Sequence, residues 1–414
     1  MARAMRLIDE GALDEGDVET LANRVGLGER QLRRLFLTHI GAAPQVVAGN
    51  RRLLAAKQLI SETDMSMADI AHAAGYQSLR RFNDAVRTSY GVAPTALRRD
   101  AVGERPNDAI TLRLGYRPPF DWKLMLSYLR FRAMPGVEEI SDMRYRRSFR
   151  FGQTRGLIDV TQGKKANTLD VGIRIDAGQR SNSAAPIRQI AARVRRIFDC
   201  DADPQAIASV LAGDPLLEQR LVRASGFRVP GAFDGFELGV RAIIGQQVSV
   251  KGATTLASRV VERCGEAMAE PDGTISHYFP RAEDMANADL SGLGLTGGRI
   301  RTLVGFAKAV ADGKVSFAPG ASLDEKITEL CAVPGIGPWT AHYIALRAIG
   351  EPDAFPAADL GLRKAASAHA GKGGDMISTK ALEAMSEHWR PWRGYAALLL
   401  WMVPEIETQN AATE

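Results

Sequence analysis

Residues Val333 to Asp359 carry the groups whose types and order could do chemistry. Pro334-Gly335-Ile336-Gly337-Pro338 cannot be a helix interior, because two glycines permit positive φ and two prolines restrict it. Behind it, Trp339, Tyr343, Leu346 and Ile349 recur at helical spacing. The pattern predicts a tight turn opening onto a helix N-terminus, with unpaired backbone N–H groups facing out. Such a turn suits an anion, and a phosphate above all. The helix should end near Gly350, and Asp359 follows in a loop after Pro356. Taken alone, such a turn is most often a plain helix connector, and Asp359 reads as a helix cap. No phosphate-binding P-loop and no Ser/His/Asp constellation competes with this stretch, and the six histidines show no ligand spacing. The three cysteines, Cys200, Cys264 and Cys331, stand far apart without a Cys-x-x-Cys pair. That argues against zinc, an iron–sulfur cluster and a disulfide framework.

Leu330-Cys331-Ala332-Val333-Pro334-Gly335-Ile336-Gly337-Pro338-Trp339-Thr340-Ala341 resembles the helix-hairpin-helix of DNA glycosylases. Phe355-Pro356-Ala357-Ala358-Asp359 is similar to that superfamily's Gly/Pro-rich loop with its catalytic aspartate. The resemblance is closest to AlkA-type 3-methyladenine glycosylases. It extends to the block from Phe236 to Val250, which contains Gly245-Gln246-Gln247, and to Trp389-Arg390-Pro391-Trp392-Arg393-Gly394-Tyr395-Ala396. Several blocks in the same order outweigh the connector reading.

The reaction this implies sets clear demands. Alkylation at a ring nitrogen makes a purine cationic and a good leaving group, so no strong general acid is required. The enzyme must extrude the nucleotide, hold an electron-poor ring and stabilise positive charge developing on the sugar. Aromatic faces serve the second need, at roughly 0.5–2 kcal/mol for a cation–π contact. The resemblance assigns the third need to Asp359 and the base pocket to Trp339, Tyr343 and Trp401, with Arg132 at the mouth. It implies backbone and hydroxyl donors to DNA phosphate at Gly335, Ile336, Gly337 and Thr340. It also implies a duplex-wedging residue at Gln247, where the best-known relatives carry an apolar side chain. A monovalent cation, Na+ or K+, is implied on the carbonyls of Cys331, Val333 and Ile336; no other cofactor is expected. Bifunctional glycosylase/lyases of the superfamily carry a lysine nucleophile at the place of Trp339. Tryptophan cannot form a Schiff base, so the reading is a monofunctional hydrolase. No matched residue is positioned to read a base edge. The expectation is therefore a broad enzyme acting on both 3-methyladenine and 7-methylguanine.

The first hundred residues contain an internal repeat. Leu21-Ala22-Asn23-Arg24-Val25-Gly26 is echoed by Ile70-Ala71-His72-Ala73-Ala74-Gly75, and Gly41-Ala42-Ala43-Pro44 by Gly91-Val92-Ala93-Pro94. A period of about 50 residues indicates two copies of one small helical unit. In the first copy Val18, Leu21, Ala22 and Val25 line one face, and Leu32, Leu35 and Phe36 point inward. Arg30, Arg33 and Arg34 lie on another face. In the second copy Leu79, Phe82 and Val86 point inward, with Arg80 and Arg81 outward. This is helix-turn-helix patterning, with basic recognition helices suited to a major groove. Two units joined by a long helix, Gln45 to Ser61, resemble the AraC-type DNA-binding domain, which implies an operator and RNA polymerase as partners. The charge agrees: Arg24 to Arg99 holds 12 Lys/Arg against 5 Asp/Glu, within a chain of net charge +5. Fusions of this kind resemble Ada–AlkA adaptive-response proteins. Those often begin with a four-cysteine zinc module, which a chain with no cysteine before Cys200 is expected to lack.

Glu104 to Asp108 reads as a linker, after which the pattern changes. Strands are expected around Thr111–Tyr116, Tyr145–Phe151, Gly156–Val160 and Thr168–Ile175, and a helix from Trp122 to Arg132. Pro118-Pro119-Phe120-Asp121-Trp122 and Arg132-Ala133 are similar to the α+β domain of AlkA-type enzymes. From Pro186 the pattern is helical, ending with a helix from Tyr395 to Met402 before Pro404. The expected fold is mainly α with an α+β domain: residues 1–103 an AraC-type double helix-turn-helix, 108–184 a small antiparallel α+β domain, and 185–406 an all-α helix-hairpin-helix glycosylase core. Composition fits, at 45% hydrophobic and 24% charged. The N-terminus lacks a signal-peptide pattern and no stretch is long enough to span a membrane, so a reducing cytoplasm is expected. Two rival functions are a transcription regulator whose glycosylase half is only a DNA clamp, and a glycosylase/lyase for oxidised bases. Deleting the first hundred residues is expected to leave excision intact.

Overall fold

The computed structural model describes residues 2–9, 12–14, 16–25, 27–62, 65–98, 110–176, 184–317, 322–369 and 376–411. The linker at 104–108 lies outside them, as does Gly26.

The N-terminal arm comprises α1 (Ala2–Asp9), α2 (Val18–Arg24), α3 (Glu29–Ile40), α4 (Pro44–Glu62), α5 (Met67–Ala73), α6 (Leu79–Tyr90) and α7 (Pro94–Leu97). Helices α2 and α3 form one helix-turn-helix, α5 and α6 the other, and α4 joins them. Local chemistry sets the starts. The Asp17 carboxylate accepts from Thr20 N at 2.8 Å, and Ser78 Oγ accepts from Arg81 N at 3.3 Å. Leu32 and Phe36 are buried in the first unit, Phe82 and Val86 in the second. Leu79, expected inward, is 42% exposed, because it sits on the first turn of α6 ahead of the core. Arg52 of α4 ties the units together, donating to Leu13 O at 2.9 Å and to Asp14 at 3.1 Å. Gly75 must be glycine here: its φ is +87°, and a Cβ would lie 2.3 Å from Asp14 Oδ2.

The α+β layer contains β1 (Ile110–Gly115), α8 (Trp122–Phe131), β2 (Glu138–Ile140), β3 (Arg144–Phe151), β4 (Thr154–Gln162) and β5 (Thr168–Ile175). The strands form an antiparallel sheet of order β1-β5-β4-β3-β2. Leu112 and Leu114 of β1 are buried, as period-two alternation requires.

The helical core contains α9 (Ala184–Ile197), α10 (Pro204–Leu211), α11 (Pro215–Arg223), α12 (Gly235–Ile244), α13 (Val250–Cys264), β6 (Glu266–Asp272), β7 (Ile275–Tyr278), α14 (Ala282–Ala286), α15 (Gly297–Ala311), α16 (Leu323–Cys331), α17 (Pro338–Ile344), α18 (Leu360–His369), α19 (Thr379–Ser386) and α20 (Arg393–Ala411). Three features depart from the sequence reading. A β6–β7 hairpin interrupts the helices; it buries Met268, Ile275 and Tyr278 and packs on β3. β7 spans only four residues, and β6 contains Pro271 and an irregular register, so periodicity gave no strand signal. Helix α17 does not run regularly to Gly350 but passes into a π-helical turn, Ala345–Ile349. Helix α20 continues beyond Pro404 to Ala411.

The two helix-turn-helix units are held differently. The first closes its own core around Leu7, Leu21, Leu32 and Phe36. The second shares one continuous core with the rest of the chain: α5 packs on α9 and α4 on β1, and Ile60, Ile70 and Phe82 join Leu112, Ile173 and Ile190. The arm is not a bead on a string, which alters the expectation that it can be deleted freely. A chain starting at residue 107 should retain the catalytic groups yet melt more than about 5 °C below the full chain, since removing α4 and α5 bares apolar surface on α9 and β1. Calorimetry of both proteins checks this; equal melting temperatures would mean that the contact contributes nothing.

Candidate active site

A cavity of about 310 Å³ opens between the α+β layer and the helical core. Its lining includes Tyr128 and Arg132 from α8 and its C-cap, Leu238, Arg241 and Ala242 from α12, Trp339 and Tyr343 from α17, Arg347 from the π turn, Asp359, and Trp401 from α20.

Asp359 sits directly before α18. Its Oδ1 accepts from Leu362 N at 2.9 Å, so it caps the helix, and the same carboxylate lines the cavity. Two indoles hold it from either side. Trp339 Nε1 donates to Oδ2 at 2.8 Å and Trp401 Nε1 to Oδ1 at 2.9 Å. Hydrogen bonds from two sides fix the direction of the carboxylate. Trp339 lies nearly parallel to Tyr343, with centroids 5.8 Å apart and planes at 14°. Trp401 meets Tyr343 edge-on at 6.1 Å.

Arg241, which lines the cavity, belongs to a largely buried polar cluster. Arg147 of β3 donates to Glu237 of α12 at 2.6 Å and reaches Glu138 of β2 at 3.4 Å. Arg241 donates to Glu138 at 3.1 Å and to Glu237 at 3.4 Å, and also to the Arg132 carbonyl. Burial alone would raise the pKa of Glu138; Arg241 and Arg147 beside it, helped by the Tyr145 hydroxyl, hold it below the ordinary carboxylate value. Arg347, 6% exposed, donates from Nε to Pro230 O at 2.7 Å and from Nη1 to the Tyr343 hydroxyl at 2.6 Å. Burial opposes its charge, but the Tyr128 and Tyr343 oxygens and Glu138 outweigh that and raise its pKa.

The hairpin between α16 and α17 rises at the rim. Gly335 has φ +92°, and a Cβ there would fall 2.0 Å from Thr302 Oγ1. Gln246 braces the turn from α12's end, its Nε2 donating to Gly335 O at 3.1 Å and to Thr340 Oγ1 at 3.0 Å. Gln247 beside it is exposed and left-handed, at φ +56°.

A relative in Mycobacterium tuberculosis, described as a probable bifunctional transcriptional activator/DNA repair enzyme AlkA, is 38% identical over 98% of this chain and 80% of its own length. This chain belongs to the AlkA family. The DNA-3-methyladenine glycosylase 2 of Escherichia coli is 33% identical, over 70% of this chain and 95% of that protein. The AlkA N-terminal domain profile matches residues 111–234, taking in both the sheet and α9–α11. The profile of the HhH-GPD superfamily base excision DNA repair protein matches 240–392, and a helix-turn-helix domain profile matches 21–100. Among solved structures, the 3-methyladenine DNA glycosylase of Archaeoglobus fulgidus superposes with TM-score 0.58 at 22% identity, covering 70% of this chain and 97% of that one. The 8-oxoguanine glycosylase/lyase of Clostridium acetobutylicum superposes at 0.53 with 18% identity, covering 74% and 98%. Both likenesses establish the fold.

The AlkA cavity brings together Asp359, Trp339, Tyr343, Trp401 and Arg132. The guanidinium of Arg132 lies 3.8 Å from the Tyr128 ring centroid. Thr340 departs from expectation: it is 2% exposed and its hydroxyl accepts from Gln246, so it braces the hairpin from inside. Gly335 and Gly337 are exposed while Ile336 is buried, and the Val333 carbonyl accepts from Ile336 N at 3.0 Å. On the arm, Arg30, Arg34, Arg80 and Arg81 are exposed, whereas Arg33 is paired with Glu29 at 2.6 Å. The sequence reading missed Tyr128, Arg241 and Arg347. Arg347 stands four residues after Tyr343, which stands four after Trp339; that stripe was available, but regular helical phase favoured Leu346 instead. Three arginines, Arg132, Arg241 and Arg347, line the cavity beside the aromatic rings.

Trp401→Phe keeps an apolar ring and removes one donor to Asp359. Single-turnover base excision should fall by roughly tenfold or more, the worth of one hydrogen bond to a charged group, with little change in melting temperature. An undiminished rate would show that the indole N–H is dispensable.

Proposed function

We propose that the chain is a monofunctional DNA glycosylase that hydrolyses the N-glycosidic bond of alkylated bases, 3-methyladenine and 7-methylguanine, in double-stranded DNA. Its first 103 residues form a sequence-specific DNA-binding arm, residues 108–184 the α+β layer and residues 185–406 the glycosylase core. The observation that carries this reading is Asp359, oriented by two indole N–H groups at the wall of an aromatic cavity.

Extrusion delivers the alkylated base into the cavity, where the rings of Trp339, Tyr343 and Trp401 favour an electron-poor partner. The carboxylate then faces the sugar as its bond to the base lengthens, stabilises the cationic centre and directs water to it. Among the described residues no lysine lines the cavity, which supports hydrolysis over lyase chemistry. Gln247, exposed on its strained turn, would fill the gap in the duplex. Backbone N–H groups at Gly335 and Gly337 would meet a phosphate on the DNA strand. The carbonyls of Cys331, Val333 and Ile336, at the end of α16 and in the turn, would hold Na+ or K+. Neutral oxygens suit a monovalent ion, and no acidic cluster able to bind a multivalent one occurs among the described residues. Arg30, Arg34, Arg80 and Arg81 would contact operator DNA, and the arm would work with RNA polymerase. A cytoplasmic location accords with three free cysteines, and no described helix is long and apolar enough to cross a membrane.

Purified protein given methylated duplex DNA should release free 3-methyladenine and 7-methylguanine without nicking the strand. Asp359→Asn should lower single-turnover release at least about a hundredfold while changing affinity for an abasic-site duplex less than about threefold. Strand cleavage would favour a lyase, and binding without release a DNA clamp.

A further inference from the structure

Trp339, Tyr343 and Arg347 are spaced by four along one helix and its π turn, and all three line the cavity. Eight residues span about 12 Å at an α-helical rise, enough for a purine between the first and the last. The two ends differ. Trp339, at one, touches Asp359. Arg347, at the other, is 6% exposed. Its Nε and Nη1 are engaged by Pro230 O and the Tyr343 hydroxyl, and Nη2 has no partner among the described residues. Nη2 therefore keeps donors that a ligand in the cavity could engage. The i, i+4 spacing places Arg347 on the face already occupied by Tyr343, with its guanidinium 5.2 Å from the Tyr128 ring centroid.

If Asp359 marks the sugar end, as the glycosylase reading on which this rests requires, the base edge farthest from the glycosidic bond points towards Arg347. Guanine-type bases present a keto oxygen at C6 there. Adenine-type bases present an amino group, a donor facing a donor. We propose that Arg347 is a specificity-determining residue that reads this edge, favouring alkylated bases with a keto oxygen over those with an amino group at the same place.

The sharpest comparison uses 7-methylguanine and 7-methyladenine in one duplex context, which share the alkylated position and the ring charge. Single-turnover release of each is measured relative to its spontaneous loss, with the full chain. The wild type should favour 7-methylguanine by roughly tenfold or more. Arg347→Met should bring that ratio close to one, chiefly by slowing 7-methylguanine, and Arg347→Lys should keep part of it. A wild-type ratio near one overturns the assignment, as does an unchanged ratio in an active Arg347→Met enzyme. Should that variant not fold, Tyr343→Phe decides: it frees Nη1 while leaving the ring and the guanidinium, so the ratio must hold or rise, and a fall refutes the role. Release of neither base by the wild type sinks the glycosylase reading itself. Equal enhancement of both sinks only the reading of Arg347.

Discussion

Two carboxylates and two guanidiniums meet where the α+β layer touches the helical core, and the shape of the cavity depends on them. Glu138 and Arg147 come from the sheet, Glu237 and Arg241 from α12. Each is largely withdrawn from water, so each charge depends on its neighbours for compensation. Removing one partner from such a cluster typically costs about 3–5 kcal/mol, because the remainder is left buried and uncompensated. The cluster also fixes positions beyond itself. Arg241 grips the Arg132 carbonyl, and Met134 N donates to Glu138 at 3.1 Å, so the loop after α8 is locked against α12. The two walls of the cavity therefore keep a constant separation although they belong to different layers.

The aromatic wall around Asp359 works on a different principle. The rings of Trp339 and Trp401 were expected to matter for their faces, and both also use their edges. Each indole donates to one oxygen of Asp359, and among the described residues no cation pairs with that carboxylate. A nearby guanidinium would neutralise the charge that the developing sugar cation needs. Neutral donors hold the group in place and leave that charge unspent. The C-terminal block that carries Trp401 is bolted from below. Trp389 Nε1 donates to Asp214 at 2.6 Å, Arg393 pairs with Asp353 at 2.8 Å, and Tyr395 donates to Asp199 at 2.7 Å.

Much of this was legible in the sequence because local rules and tertiary structure agree there. The repeat in the arm, the alternation of β1 and the Gly/Pro hairpin each signal one backbone conformation, and each is present. Asp359 was legible only through the order of several blocks, since its spacing alone also fits a helix cap; it caps α18 and lines the cavity as well. Arg347 stands on the Trp339–Tyr343 stripe, but spacing alone does not distinguish a buried arginine at a cavity from one facing water. Arg241 and Tyr128 were hidden for a different reason. Each has a partner over a hundred residues away in another element, Glu138 for Arg241 and Arg347 for Tyr128, and no local pattern encodes a contact of that kind. The buried setting of Thr340 was equally invisible, since only the fold brings Gln246 against it.

The shared core between α4, α5, α9 and β1 has a consequence for how such a chain would travel on DNA. Two grips joined by a slack tether can exchange hands: one holds its segment while the other samples the next duplex. Two grips on one stiff body cannot. They must advance together along the groove, keeping a fixed angular offset around the helix axis, or let go together. Movement between distant segments then requires complete dissociation, and scanning is confined to a continuous track.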